Sequence, residues 1–131
     1  MRAQLVNIPM SPGEALDRLS IMEVKSVRIP QGPRLDVVLT QMTVLRSALD
    51  RFLADARCAS IYDDMVAVNG KLWDVEDAVR MAMRLGDDAS FTRSAKLVPI
   101  LNGERSDLKT RLDGVVGCGL AEVKMYETCW L

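Results

Sequence analysis

Two adjoining stretches decide the fold of this chain: residues 34–57, RLDVVLTQMTVLRSALDRFLADAR, and residues 61–85, IYDDMVAVNGKLWDVEDAVRMAMRL. In both, apolar side chains return every three or four residues, which is the spacing of one face of an α-helix. The apolar positions are Leu35, Val38, Leu39, Met42, Leu45, Leu49, Phe52, Leu53 and Ala56 in the first stretch, and Ile61, Met65, Val68, Leu72, Val75, Val79 and Ala82 in the second. The pattern predicts two long amphipathic helices.

The residues around the second stretch predict where its helix begins and ends. Ser60 is a residue type that caps the amino terminus of helices, and Gly86 suits the left-handed position that follows a helix. Because only a few residues then separate the two long helices, we expect them to fold back on each other as an antiparallel hairpin.

The segment before these helices carries a strong helix-start signal. Ser11, Pro12, Gly13 and Glu14 match a capping box, in which Ser11 caps the helix and Glu14 reaches back to the cap amide. We predict a helix over residues 12–28, ended by the proline and glycine residues at 30–33, after an extended arm at residues 1–10. Its apolar side would carry Leu16, Leu19, Met22 and Val27.

A fourth helix is predicted over residues 90–113, with Asp87 and Asp88 as capping residues. Pro99 lies inside it, and because proline removes a helical hydrogen bond and clashes with the preceding turn, we expect a kink or a break there. Glycines at 114, 117 and 119 predict a loop, and residues 120–126 predict a short last helix.

The predicted fold is therefore all-α: an elongated antiparallel helical bundle of four main helices plus a short carboxyl-terminal helix, in a single domain over residues 1–131. The composition agrees with this fold, because 49% of the residues are hydrophobic and only 5% are aromatic, while methionine numbers 8. Such an aliphatic, thioether-rich interior packs helices better than it packs strands.

Charge and cysteine content narrow the class of protein. The chain has 17 basic and 18 acidic residues without a long run of one sign, which disfavours a nucleic-acid partner. We find no apolar run long enough for a membrane span or a secretory signal, so we expect a cytoplasmic protein with no membrane partner. Cys58, Cys118 and Cys129 contain no C-x-x-C pair, which agrees with a reducing compartment.

The chain contains no histidine, which removes the commonest general base and the commonest transition-metal ligand. Any enzyme chemistry would have to use carboxylates, lysine, arginine or tyrosine. The sequence therefore leans against an enzyme.

Polar side chains interrupt the apolar helix faces at helical spacing. Glu23, with Lys25 close by, lies beside the apolar side of the first helix. The other members of this polar cluster are Asn69, Trp73, Glu76 and Arg80 on the third helix and Asn102, Arg105 and Lys109 on the fourth. One interpretation is an ion-pair network joining Glu23 or Glu76 to Arg80, Arg105 or Lys109. Another is a pocket beside Trp73 that binds a small ligand.

An acidic quartet offers a further interpretation. Glu14 with Asp17, and Asp74 with Asp77, each place two carboxylates three residues apart on one helix face, and two such pairs could hold Mg²⁺. This arrangement resembles that of the all-α nucleotide pyrophosphohydrolases of the MazG type, which implies a Mg²⁺-dependent enzyme. Here a whole predicted helix separates the two pairs, and Asp17 stands where that family usually has glutamate.

Many of these residues also belong to a second resemblance. Residues 11–29, SPGEALDRLSIMEVKSVRI, resemble the opening of a bacterial family of small proteins known only as a domain of unknown function. The resemblance continues in the Leu-Trp-Asp-x-Glu-Asp motif at residues 72–77. The further matching positions are Arg80, Asn102, Arg105, Lys109, Glu122, Lys124 and Tyr126. The resemblance implies no activity. It implies that the polar residues belong together, as an ion-pair network or as a site.

The apolar faces of helices two and three exceed what shorter flanking helices can cover, which predicts self-association. We therefore expect a non-enzymatic protein-interaction or oligomerising module that needs no cofactor. The expected assembly is a homodimer joined through helices two and three, and an unidentified protein partner is the alternative. Trp130 and Leu131 predict docking of the carboxyl terminus against this chain or a neighbouring one.

Overall fold

The computed structural model describes residues 4–118. Its helices are α1 (Pro12–Arg28), α2 (Pro33–Leu53), α3 (Ala56–Leu85), α4 (Asp88–Ala95) and α5 (Leu97–Val116). This part of the chain contains no β-strand, so the predicted all-α fold is confirmed. Residues 4–10 precede α1 without regular structure. The helix predicted at residues 120–126, and with it Cys129, Trp130 and Leu131, lies outside the described residues.

Helix α1 begins as its sequence predicts. Ser11 adopts an extended backbone conformation, and its hydroxyl accepts a hydrogen bond from the Glu14 amide at 3.1 Å. The predicted return contact of Glu14 is replaced by an interhelical one, because Lys109 Nζ donates to Glu14 Oε2 at 3.1 Å. Val27 does not belong to the apolar side of α1 as predicted, because it is 82% exposed.

The junction of α2 and α3 lies earlier in the chain than predicted. Helix α2 ends at Leu53 rather than near residue 57, and α3 begins at Ala56 rather than near residue 61. The N-cap is Asp55, whose carboxylate accepts from the Arg57 amide at 2.8 Å, so the prediction of Ser60 was wrong. Asp55 prevails because it caps the helix and also forms an ion pair with the Arg57 guanidinium.

The predicted fourth helix is two helices, as the interruption at Pro99 suggested. The break is at Lys96, and Pro99 is the third residue of α5, where a missing amide costs no helical hydrogen bond. The cap of α4 is Asp87, which accepts from the Ser90 amide at 3.0 Å, while Asp88 is already inside the helix.

The helices pack around α1 and α3. Helix α1 contacts α2, α3 and α5, and α3 packs most extensively against α5. Helices α2 and α3, the predicted hairpin, touch each other only sparsely, because both pack against α1 instead. The buried core consists of Leu16, Leu19, Leu49, Cys58, Ile61, Tyr62, Met65, Val68, Leu72, Leu101, Leu108 and Leu112. Each such large apolar side chain contributes about 1.5–3 kcal/mol when it is fully buried.

Helix α3 divides into two parts with different surroundings. With 30 residues it is about 45 Å long. We call residues 56–72 its inner segment, which carries seven buried residues, and residues 73–85 its outer segment, in which Ala82 alone is buried. Helix α4 is the element that packs beside the outer segment, and none of its own residues is buried. Across residues 73–100 the core is therefore thin.

None of the helices in residues 4–118 combines the length and the apolar character needed to cross a lipid bilayer.

Candidate functional site

A buried carboxylate joins α1, α3 and α5. Asp17 of α1 is 1% exposed, and its carboxylate accepts hydrogen bonds from two other helices. Asn69 Nδ2 donates to Asp17 Oδ1 at 3.0 Å, and Arg105 Nε and Nη2 donate to the two oxygens at 2.9 and 2.5 Å. The Arg105 contact is a two-nitrogen fork, the arrangement that suits a carboxylate best.

The local sequence explains how this group is buried. Asp17 follows the core residue Leu16 in α1, and Asn69 follows the core residue Val68 in α3. Asn69 Nδ2 also donates to Ser20 Oγ at 2.7 Å, one turn along α1 from Asp17. Burying a charge costs free energy unless it is paired and hydrogen-bonded, and here both carboxylate oxygens have donors. The network therefore fixes how α1 aligns with α3 and α5.

Two further contacts hold α1 against α5. Lys109 lies one turn from Arg105 on α5 and pairs with Glu14, one turn from Asp17 on α1. Asp113, 2% exposed, accepts from the Gly13 amide at 2.7 Å, which supplies an acceptor and a negative charge at the amino terminus of α1. The approach is so close that a Cβ built on Gly13 would lie 2.3 Å from the Lys109 carbonyl oxygen.

A cleft of about 260 Å³ opens beside this network, where α1, α3 and α5 meet. The polar residues that line it are Lys25, Asn69, Trp73, Glu76, Arg80 and Arg105. Its apolar wall is formed by Ile21, Val24 and Leu72. The structure thus brings six of the nine residues of the predicted polar cluster to one place, with Trp73 among them.

The remaining three members of that cluster lie elsewhere. Glu23 pairs with Arg46 of α2, Lys109 pairs with Glu14, and Asn102 is exposed. The predicted partners of the network were therefore wrong. Arg105 and Lys109 are in ion pairs between helices, but with Asp17 and Glu14 rather than with Glu23 or Glu76. Arg80 pairs with Asp77 on its own helix.

The pair of Glu23 and Arg46 lies at a second groove, between α1, α2 and α3. This groove has a volume of about 600 Å³, and Met42, Val66 and Gly70 also line it.

Tyr62 of α3 is 6% exposed, and its hydroxyl forms no well-aligned hydrogen bond among the described residues. Burial, together with the nearby Glu23 charge, raises the pKa of the Tyr62 hydroxyl well above its usual value.

The acidic quartet is not assembled. Asp17 is held by Arg105, and Glu14 by Lys109. Hydrogen bonds from the guanidinium of Arg28 hold the pKa of Asp74 below its usual range, and Asp77 faces Arg80. Within residues 4–118, no three acidic or cysteine side chains come together in a group that could hold a metal ion. The geometry therefore offers these carboxylates as ion-pair partners rather than as ligands.

The environment of Cys58 disfavours a reactive thiol. Cys58 is fully buried, and burial raises the pKa of its thiol, which disfavours the thiolate that acts as a nucleophile. Cys118 follows the end of α5 and is half-buried. The chemistry that the arrangement supports is recognition of a small polar molecule in the Trp73 cleft, or structural pairing of helices.

Sequence reasoning missed the roles of three of the residues described above. Asp17 was considered only as a metal ligand, although it is the centre of the network, and Asp113 and Arg46 were not considered at all. The available signal for Asp17 was its position next to Leu16, inside the apolar side of α1. Asp113 had no such signal, because its partner is 100 residues away in the chain.

Comparison with known proteins adds no relative: no family model, no curated protein and no solved structure matches this chain.

Proposed function

We propose that this protein is a non-enzymatic helical module that self-associates, as a homodimer, through α2 and the outer segment of α3. The observation that carries the proposal is the burial along α3. Its outer segment continues the apolar spacing of the inner segment with Val75, Val79 and Ala82, yet Ala82 is its one buried residue. Within residues 4–118, the other residues of this segment stay partly or fully exposed.

Six of the fourteen large apolar side chains that are exposed among residues 4–118 lie in the elements named in the proposal. In the outer segment Met81, Met83 and Leu85 are 49%, 66% and 71% exposed. On α2, Val37 and Val44 are both 57% exposed. Large contiguous apolar patches are uncommon on monomeric proteins, and association with a second copy would cover these side chains.

The charge balance supports a second copy of this chain as the partner. The net charge is −1, so two copies repel each other only weakly. The Asp17 network supports the same proposal in another way, because it holds α1, α3 and α5 in one alignment. A preorganised surface loses less conformational entropy when it associates.

The test is sedimentation equilibrium of the full chain at micromolar concentrations, with Leu85→Lys as the disrupting variant. Wild type is expected to sediment as a dimer. Leu85→Lys places a charge in the proposed interface and should raise the dissociation constant about tenfold or more.

Val6→Lys is the matched control. Val6 is 80% exposed in the segment before α1, so the same change is made outside the proposed interface, and the dissociation constant should stay unchanged. A wild-type protein that remains monomeric throughout the concentration range overturns the proposal. So does a Val6→Lys variant that is as disruptive as Leu85→Lys.

A further inference from the structure

We propose that the Trp73 cleft binds a small zwitterion of the amino-acid class. The cleft is defined by the six polar residues named above and the apolar wall of α1 and α3. Its volume of about 260 Å³ lies below the range of about 300–1,000 Å³ typical of sites for drug-sized ligands. The occupant is therefore metabolite-sized. This inference does not rest on self-association, although Trp73, Glu76 and Arg80 also belong to the outer segment of α3.

The charges in the cleft select a ligand that carries both signs. Arg105 and Arg80 already face the carboxylates of Asp17 and Asp77. Lys25 and Glu76, by contrast, form no ion pair within residues 4–118. The cleft thus offers one ammonium and one carboxylate without partners of their own.

A ligand with a single charge does not match this pair. A simple anion would be attracted by Lys25 and repelled by Glu76, and a simple cation would meet the reverse. A molecule with a carboxylate and an ammonium satisfies both groups at once. The ammonium and the carboxylate of an α-amino acid are attached to the same carbon, so one small molecule presents both charges: its carboxylate would pair with Lys25 and its ammonium with Glu76.

Trp73 completes the site with a large apolar surface. The indole is half-buried in the cleft, next to the wall formed by Val24 and Leu72. An indole face attracts both apolar groups and cations. It would therefore contact the side chain of the ligand or its ammonium group.

The Asp17 network holds two donor groups of the cleft in place. Asp17 fixes the Arg105 guanidinium and, together with Ser20, the Asn69 amide. Polar groups that are already oriented lose little freedom when a ligand arrives, which favours binding. The buried carboxylate thus serves the cleft as well as the packing of the helices.

The experiment uses the fluorescence of Trp73. The chain has two tryptophans, so Trp130→Phe leaves Trp73 as the single reporter. This variant is titrated with each of the standard amino acids, and separately with sodium acetate, inorganic phosphate and methylammonium chloride. The melting temperature is followed in parallel as a second readout. We expect a saturable change with at least one amino acid and none with the singly charged probes or phosphate.

Two variants test the roles of the charges. Lys25→Met and Glu76→Gln each remove one charge-assisted contact and should weaken amino-acid binding by about tenfold or more. Neither side chain forms an ion pair with another residue of 4–118, so folding should be unaffected. Lys71→Met and Glu104→Gln are the matched controls, because these residues are exposed and do not line the cleft. Neither should change the affinity.

Three outcomes overturn the proposal. The first is the absence of any change in fluorescence or melting temperature with every amino acid at millimolar concentration. The second is binding that is indifferent to both Lys25→Met and Glu76→Gln. The third is saturable binding of acetate or phosphate that becomes tighter in Glu76→Gln, which would identify a simple anion site.

Discussion

The inner and outer segments of α3 belong to one continuous helix with one apolar spacing, yet only the inner segment lies in a packed core. The inner segment carries seven buried residues, while the outer segment carries one, Ala82, and leads into the eight-residue α4. The comparison teaches that an amphipathic pattern predicts a helix but not the layer that covers it. The pattern does not predict the burial of a charge either. Asp17 of α1 is buried against the inner segment, whereas Asp77 is exposed on the outer segment.

The largest expected effect compares the buried ion pair beside the inner segment, Asp17 with Arg105, with the exposed ion pair on the outer segment, Asp77 with Arg80. Asp17→Asn keeps the shape of the side chain but removes the charge that Arg105 faces across the core. We expect a loss of about 3 kcal/mol in the free energy of unfolding, the lower end for breaking a buried ion pair, because Arg105 is partly exposed. Urea denaturation followed by circular dichroism measures it.

Asp77→Asn on the outer segment is the matched control. Its partner Arg80 lies on the same helix and both side chains are more than half exposed. Exposed pairs of this kind contribute at most about 1 kcal/mol. Equal losses for Asp17→Asn and Asp77→Asn would contradict the distinction between the segments.

A second prediction compares two glycines, Gly13 of α1 and Gly103 of α5. Replacing each by alanine should change the free energy of unfolding in opposite directions. Gly13→Ala would place a Cβ 2.3 Å from the Lys109 carbonyl and 2.9 Å from Asp113 Oδ1, so α1 and α5 would have to separate. We expect a loss of about 1–3 kcal/mol in stability, as for other overpacked sites. The backbone cannot move aside as a flexible side chain would.

Gly103→Ala in α5 should have the opposite effect. No atom lies within 4 Å of a Cβ built at Gly103, and replacing a helical glycine by alanine stabilises a helix by about 0.5–1 kcal/mol. Both variants are compared by thermal and urea unfolding. A Gly13→Ala protein as stable as wild type would show that the α1–α5 approach can relax.

Local signals made the helices predictable from the sequence. Ser11 and Gly86 act on amides and carbonyls within a few residues, so the start of α1 and the end of α3 are as expected. At the α2–α3 junction two residues of capping type, Asp55 and Ser60, competed. Spacing alone could not rank them; in the structure Asp55 caps α3 and also forms an ion pair with Arg57.

The partners within the site were less predictable. The spacing of Trp73, Glu76 and Arg80 placed them correctly on one ridge beside the cleft. Which acid meets which cation depends on how α1, α3 and α5 align, and residues 52 to 100 positions apart in sequence leave no periodic signal of that alignment. The residue spacing on α1 indicated Glu23 as the acidic member of the network, whereas the packed structure buries Asp17 in that role.

The smallest expected effect concerns the Tyr62 hydroxyl of the inner segment, which forms no well-aligned hydrogen bond within residues 4–118. Tyr62→Phe removes a buried hydroxyl without a well-aligned hydrogen bond, so the stability should stay within about 1 kcal/mol of wild type or rise.

The same environment raises the pKa of Tyr62 in the folded state, so the neutral hydroxyl is favoured there. The resulting contribution to stability is fully present below the unfolded pKa of about 10 and is lost as the pH rises further. Absorbance titration of a Tyr126→Phe variant, in which Tyr62 is the single tyrosine, should show ionisation together with unfolding at alkaline pH. Ionisation near the ordinary tyrosine pKa with the helices intact, or a large loss of stability in Tyr62→Phe, would mean that this hydroxyl is solvated or well paired.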